Sequence, residues 1–503
     1  MSITRWGLPL LAVVCFVRLW LMPLPSSFWV DEMATAFVVE HGAADPSLKV
    51  APQVPQSIYY PVIRFCAPQP SEVVYRLPSI LFMCLALMFV GLLAARLIHP
   101  DAWWFAIFAC FAQGGINYEA ANARPYAMGI CVAAAGLYFL VRWLDTGRLW
   151  DAALFVIFAA LLWRVHLIFW PLYLVFAGYA LWRAMAPPHT LNPVISRPSG
   201  AGPCPAEIKV PLSQIAIAFA IVAFSLIPVA IRAVELNAQA QQHVVIEQPA
   251  WMNLVHSFRL PLIAAAAFGA WIWSIFAKQR GQIAIPAPAM ALILGWWLWH
   301  PIALFAFSRI TGNSVFVPRY LAISLPGAAL AATLAAAWFL PARFWKPAAL
   351  LMGLGALITS GNWTEIWPSH HNSDWRAAAQ AVNRLALPPS TPIICPSPFV
   401  EARSPAWTPD YQMPGFLYAP LLVYPVRGNV VLFPFVTSPE AEDYATALAR
   451  GALPAAGRFV IYGANGGAHF WTDWFEKRPE LAGWSHRSLG DFKDVDAVLF
   501  ERK

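Results

Sequence analysis

Trp6-Gly7-Leu8-Pro9-Leu10 opens an apolar run that continues to Met22, and Phe28-Trp29-Val30-Asp31-Glu32 follows close behind it. These two stretches together decide the fold class. The first approaches the roughly 20 apolar residues that cross the hydrocarbon of a bilayer. Arg5 precedes it, Arg18 interrupts it, and no small-x-small cleavage site follows, so it reads as an uncleaved first membrane helix. The second stretch puts two adjacent carboxylates just beyond the point where that helix should surface. A chain this apolar carries few acids near its membrane part, so the pair is either an anchor or the chemistry of the protein. The plain alternative to chemistry is helix N-capping after Ser26-Ser27.

Composition widens the argument. The 503 residues are 59% hydrophobic and 12% charged, with a mean hydropathy of +0.57. Soluble domains carry about twice that charge, so this is an integral membrane protein. The 25 Trp and 33 Phe suit interfacial belts and lipid-facing helices. The net charge of +7 is scattered over loops, and no basic run alternates with aromatics, which argues against nucleic acid as a partner. Cys15, Cys84, Cys110 and Cys131 fall inside apolar segments and read as small hydrophobes. Cys66 and Cys395 are expected on one side of the membrane, where spacing leaves a disulfide between them open.

Apolar segments of spanning length are Trp6 to Met22, Leu77 to Leu97, Ala102 to Ile116, Pro125 to Trp143, Leu149 to Trp163 and Leu167 to Trp182. Leu212 to Ile231, Leu260 to Ala277, Ile283 to Phe307, Tyr320 to Leu340 and Pro347 to Ser360 complete the set. The expected fold is an α-helical polytopic membrane protein of about 11 transmembrane helices with a small α/β C-terminal domain. With the N-terminus inside, cytoplasmic loops hold Arg96, Arg142, Arg148, Arg183, Arg197, Lys209, Lys278, Arg280, Arg343 and Lys346. Residues 184–210 become a Pro-rich cytoplasmic linker and residues 23–76 the first outer loop.

This assigns residues 1–360 to the membrane domain and sends 361–503 outside. More than half of the acids lie in that last part. Asp374-Trp375-Arg376 opens a helical pattern through Leu385, and Glu440 to Arg450 and Phe470 to Lys477 read as further helices. Pro392 to Cys395, Asn429 to Phe435, Arg458 to Tyr462 and Ala497 to Phe500 read as strands.

The positive-inside rule makes its exceptions informative. Arg64, Arg76, Arg124, Arg164, Arg232, Arg259, Arg309 and Arg319 fall at outer helix ends or in outer loops, where short translocated segments avoid basic charge. An anionic ligand accounts for several at once, and a phosphate is the natural candidate because the planar guanidinium fork matches its oxygens. Snorkelling to headgroups, or pairing with acids, accounts for them singly. Asp31 and Glu32 occupy the first outer loop, and Glu119 and Asn122 the second. A carboxylate near arginines can take a proton from a hydroxyl. If the anion is a lipid-linked sugar phosphate, its leaving group departs as a phosphate that arginines stabilise. One carboxylate on the opposite face then suffices as base, which gives inversion at the anomeric carbon. His166 follows Arg164 and reads as a packing histidine or a substrate contact. Lys49, His41 and Tyr59-Tyr60 read as solvated loop residues or substrate contacts.

At these residues the chain resembles the GT-C superfamily of polyprenyl-phosphate-sugar-dependent glycosyltransferases, above all its bacterial family 39 and RgtA/B/C/D-like branch. Trp29-Val30-Asp31-Glu32-Met33-Ala34-Thr35-Ala36 resembles the acidic motif of the first outer loop. Ser71-Glu72-Val73-Val74-Tyr75-Arg76-Leu77-Pro78-Ser79 is similar to the family's entry into helix two. Ala123-Arg124-Pro125-Tyr126-Ala127 is similar to its second-loop signature, and Val317-Pro318-Arg319-Tyr320-Leu321 to its late outer loop. Asp374-Trp375-Arg376-Ala377-Ala378 also recurs in such proteins.

The resemblance implies an inverting transferase in a bacterial cytoplasmic membrane, with its C-terminal domain outside. Asp31 is then the base, with Glu32 in support. Arg124 and Arg319 contact the lipid phosphate, with Tyr320 and Arg309 beside them. Glu119, Asn122, Tyr126, Arg164, His166, Tyr59 and Lys49 are the further substrate-contact candidates. The implied partners are a polyprenyl-phosphate sugar donor, a glycan, lipid or protein acceptor and membrane lipids, and a divalent cation (Mg or Mn) is an open cofactor. Two departures fall on the expected substrate face. Asn122 stands where relatives often carry Glu, with Glu119 about one helical turn earlier. Gln53-Val54-Pro55-Gln56-Ser57 replaces a stretch that often carries His or Asp. A flippase for a lipid-linked glycan and an inactive envelope-glycan scaffold remain as alternatives. The first expects ionisable groups near the bilayer midplane and repeated halves, and the second expects indifference to Asp31.

Overall fold

The computed structural model describes residues 3–66, 71–185, 210–239, 247–279, 281, 285–411 and 415–503. Most of the expected 184–210 linker, with Arg197 and Lys209, lies outside the described residues, as does Arg280. The chain divides into two compact units. The first comprises Met1–Pro23, Ser57–Tyr59 and Arg76–Pro368, and the second Leu24–Gln56, Tyr60–Tyr75 and Ser369–Lys503. Most of the 23–76 loop, expected with the membrane domain, clusters instead with the chain after Ser369.

The first unit is helical. Among the described residues, seven helices are long and apolar enough to cross a membrane: Glu72–Leu97, Tyr126–Thr146, Leu167–Met185, Leu212–Leu236, Leu260–Ala277, Ala287–Thr311 and Pro318–Ala337. Four further expected segments are helical but shorter or broken. Trp6 to Met22 becomes the helix Ile3–Phe16 and a π-helical turn Val17–Leu21. Ala102 to Ile116 breaks into Trp103–Phe111 and Gly114–Ala120. The break falls at Ala112-Gln113, where Gln113 takes extended dihedrals just before Gly114-Gly115, residues of low helix propensity. The Gln113 side chain donates to the Ala109 carbonyl at 3.2 Å and to the Leu325 carbonyl at 3.0 Å. Leu149–Val165 and Trp345–Ser360 complete the bundle.

Packing follows small residues. The Ala-rich helix Leu325–Ala337 lies so close to Ala287–Thr311 that a Cβ on Gly327 would stand 2.6 Å from the Trp297 nitrogen. Charge is gathered in pairs. Asp145 accepts from Arg96 at 2.7 Å and Arg183 at 2.8 Å, and the buried Asp151 pairs with Arg142 at 3.2 Å. Three arginines expected on the cytoplasmic side thus meet acids from the same end of the helices.

Arg18, the charge in the first apolar segment, is only 8% exposed. Its guanidinium donates to the carbonyls of Gly361 (2.8 Å), Ile366 (2.7 Å), Asn362 (2.6 Å) and Glu365 (2.7 Å), and lies 4.9 Å from the Trp363 ring centre. The π-helical turn that carries it widens the helix where the guanidinium leaves it.

The second unit is built on a five-stranded sheet in the order β2-β1-β3-β5-β4. The strands are β1 Pro392–Pro396, β2 Asn429–Phe433, β3 Arg458–Ala464, β4 Trp484–Ser488 and β5 Val495–Arg502. β1 pairs in parallel with β2 and β3, while β5 runs antiparallel to β3 and β4. The helices Trp375–Arg384, Pro439–Arg450 and Asn465–Glu476 match the expected pattern. β4 was not expected. Its Trp-Ser-His-Arg-Ser sequence is polar and its face exposed, as suits an edge strand. Cys66 is exposed and Cys395 buried, and both are free thiols, so the disulfide left open by spacing does not form.

Replacing Arg18 by Leu should leave four carbonyls without their donor, at a cost of at least about 2 kcal/mol. The expected result is a lower thermal unfolding midpoint in detergent. An unchanged midpoint would show that these bonds contribute nothing net.

Candidate functional site

In the second unit, Asp31 and Glu32 fall in the first turn of the helix Val30–His41. Trp29 takes the N-cap with extended dihedrals, and the buried Glu32 carboxylate accepts its backbone N–H at 3.4 Å. Glu32 therefore caps its own helix, as the plain alternative predicted for the pair. Asp31 is half-buried on the neighbouring position.

The segment before this helix is held by the chain after Ser369. The Phe28 N–H donates to the Tyr424 hydroxyl at 2.9 Å, and that hydroxyl donates to Glu72 Oε1 at 2.9 Å. Arg376 pairs with the same oxygen at 3.0 Å and donates to the Pro25 carbonyl at 2.7 Å. The backbone N–H groups of Arg376 and His370 donate to Ser27 and Ser26 at 3.2 and 3.1 Å. His371 stacks on Trp29, with ring centres 4.8 Å apart and 4° between planes. The Asp374-Trp375-Arg376 motif gains a physical reading here. Asp374 caps the helix by accepting the Ala377 N–H at 3.0 Å, and Trp375 packs edge-on against Tyr462. Arg376 then faces Glu72.

In the first unit, chain ends bring together a second group. Arg124 precedes Pro125, which disfavours helix at Arg124 and caps the helix Tyr126–Thr146. Arg319 and Tyr320 follow Pro318 at the first position of the helix Pro318–Leu321. His166 lies extended between two helices. Its ring centre is 5.5 Å from that of Tyr126 and 5.2 Å from that of Tyr320, and the two tyrosines are 6.1 Å apart. The Arg319 guanidinium sits 5.5 Å from the Tyr320 ring centre.

Burial, then the positive charges of Arg124 and Arg319 and the nearby His300, push the His166 pKa down to about 3. The ring is thus neutral at physiological pH. The Ile168 N–H donates to its Nδ1 at 3.3 Å, which leaves the proton on Nε2. The group therefore offers fixed positive charge and a neutral N–H donor.

Around it lies a buried polar chain. Asn122 donates to Glu119 Oε2 at 2.9 Å, and Ser79 donates to the Asn122 carbonyl at 2.6 Å. Tyr59 shares a 2.6 Å hydrogen bond with Ser79. Asn122 and Glu119 are thus direct partners, and Tyr59 is fully buried in packing. Arg164 donates to the Ala160 and Ser225 carbonyls and ties neighbouring helices together. Arg309 and Lys49 are exposed and enter none of these contacts. Sequence reasoning missed His300, which is fully buried and shares a 2.9 Å hydrogen bond with the Tyr320 carbonyl. Its signal was a lone histidine inside an apolar segment. Among the described residues, no three His, Cys, Asp or Glu side chains gather in a way that could hold a metal ion.

No protein-family profile matches the chain, and no curated protein does. Solved structures do. ArnT from Cupriavidus metallidurans in the apo state superposes with a TM-score of 0.54 at 13% identity, over 99% of this chain and 98% of that one. The same protein bound to undecaprenyl phosphate gives 0.52 at 12% identity, over 99% and 98%. The chain is a multi-pass membrane protein with the GT-C fold.

The depressed His166 pKa has a sign. Between about 3 and the ordinary value of about 6.5, the unfolded chain holds a proton that the folded chain refuses. Stability from this site is complete above about pH 6.5 and is lost as pH falls toward 3. Between pH 7.5 and 5 the wild type should lose more thermal stability than His166→Asn. Equal losses in both proteins would contradict the neutral ring.

Proposed function

We propose that the protein is an inverting glycosyltransferase. It moves a sugar from a polyprenyl-phosphate-linked donor to an acceptor hydroxyl at the outer face of the cytoplasmic membrane. The observation that carries this reading is the grouping of Arg124 and Arg319 with the neutral His166, Tyr126 and Tyr320. Guanidinium forks match phosphate oxygens, and neutral N–H and O–H donors add hydrogen bonds without competing for charge. The fold, shared with a protein solved with undecaprenyl phosphate, supports the same reading.

The chemistry needs few parts. Asp31 accepts the proton of the acceptor hydroxyl as its oxygen bonds to the anomeric carbon. The bond from that carbon to the phosphate oxygen breaks, and polyprenyl phosphate leaves with the electron pair. Arg124 and Arg319 stabilise the charge that develops on it. A single displacement inverts the anomeric centre. Glu32 acts through Asp31 by fixing the helix turn that carries it.

The test is release of polyprenyl phosphate by purified protein given a panel of polyprenyl-phosphate sugars and an envelope extract as acceptor. Asp31→Asn should lower the rate by about 10²–10⁴-fold with donor still bound. Arg319→Ala should lower it by about 10²–10³-fold. Absence of sugar-dependent release from a wild type that binds donor would overturn the assignment.

A further inference from the structure

The Asp31 carboxylate is only as well placed as the backbone that enters its helix. Phe28 is 2% exposed, so its N–H needs a protein partner. The Tyr424 hydroxyl supplies it at 2.9 Å. A phenol has one proton to donate, and here it goes to Glu72 Oε1, also at 2.9 Å. Burial, with the Glu72 carboxylate beside it, raises the Tyr424 pKa and keeps that proton in place. Arg376 anchors the acceptor at 3.0 Å and reaches the Pro25 carbonyl at 2.7 Å. Ser27 also hydrogen-bonds the Tyr424 phenol, and each link lies in one compact unit.

We propose that Tyr424, Glu72 and Arg376 are positioning residues for Asp31: Arg376 and Glu72 fix the phenol, and the phenol fixes the Phe28 N–H three residues before the carboxylate. The chain after Ser369 thereby contributes to the placement of the catalytic carboxylate. This rests on the reading of Asp31 as the base. The Trp29–His371 stack and the serine contacts to the Arg376 and His370 N–H groups constrain the same entry. None of them ends on the reacting groups, so the effect belongs in turnover and not in donor affinity. A base displaced by about an ångström costs up to about a hundredfold in rate.

The experiment compares full-length variants in detergent by kcat and by KM for the polyprenyl-phosphate sugar. Tyr424→Phe is expected to lower kcat by about tenfold or more, with KM changed less than about twofold. Arg376→Lys should recover most of the kcat that Arg376→Ala loses. Tyr418→Phe serves as a control, because its buried hydroxyl donates to the Phe433 carbonyl and not to the Asp31 loop. It should leave both constants unchanged. Should Tyr424→Phe not fold, Glu72→Gln, which still accepts both hydrogen bonds but without charge, should show an intermediate loss in kcat alone. Wild-type kcat in Tyr424→Phe, or the same loss in Tyr418→Phe, overturns the proposal while an inactive Asp31→Asn leaves the base in place. An active Asp31→Asn removes the base reading itself.

Discussion

A charge set into an apolar chain must be given partners, and that constraint shapes both units. Removing an ionised side chain from water costs several kcal/mol unless other groups take over its solvation. Arg18 meets the cost with four backbone carbonyls from one turn. Asp145 and Asp151 meet it with three arginines. Glu72 meets it with a guanidinium and a phenol. For Arg18 and Glu72 the partners come from distant parts of the chain, so satisfying the charge also fixes the fold.

The same constraint separates structural arginines from functional candidates. Arg164 looked like Arg124 and Arg319 in sequence, since each stands at a helix end where basic charge is unexpected. Its guanidinium is used on carbonyls of two helices, which accounts for it without a ligand. Arg124 and Arg319 lie near His166, where burial first and then their positive charge hold the ring neutral.

Apolar periodicity and length made most helices legible, and so did four of the five strands, whose residues are β-branched or aromatic and buried. What escaped reading depends on tertiary partners. β4 lacks apolar alternation because it is an edge strand. Tyr59 beside a loop of prolines looked available to substrate, yet its hydroxyl closes on Ser79 from another helix. His300 carries no local signal beyond being a histidine among apolar residues. The membership of residues 24–56 could not be read, since it follows from Tyr424 and Arg376, 396 and 351 positions from their partners.

That discontinuity bears on how the protein has to be understood. The sheet-bearing unit is assembled from three separate stretches, and two of them precede most of the membrane helices. Tyr424 and Arg376 are partners of its Phe28 N–H, Pro25 carbonyl and Glu72 carboxylate. Removing the chain after Pro368 would therefore strip these groups of their partners rather than delete an independent module. An unpaired buried N–H costs about 1–3 kcal/mol and an uncompensated charge more. The helix bearing Asp31 would then begin at a backbone with several alternative positions. The chain after Ser369 and the first loop are accordingly parts of one packed unit, and the backbone that leads into the Asp31 helix is held within it.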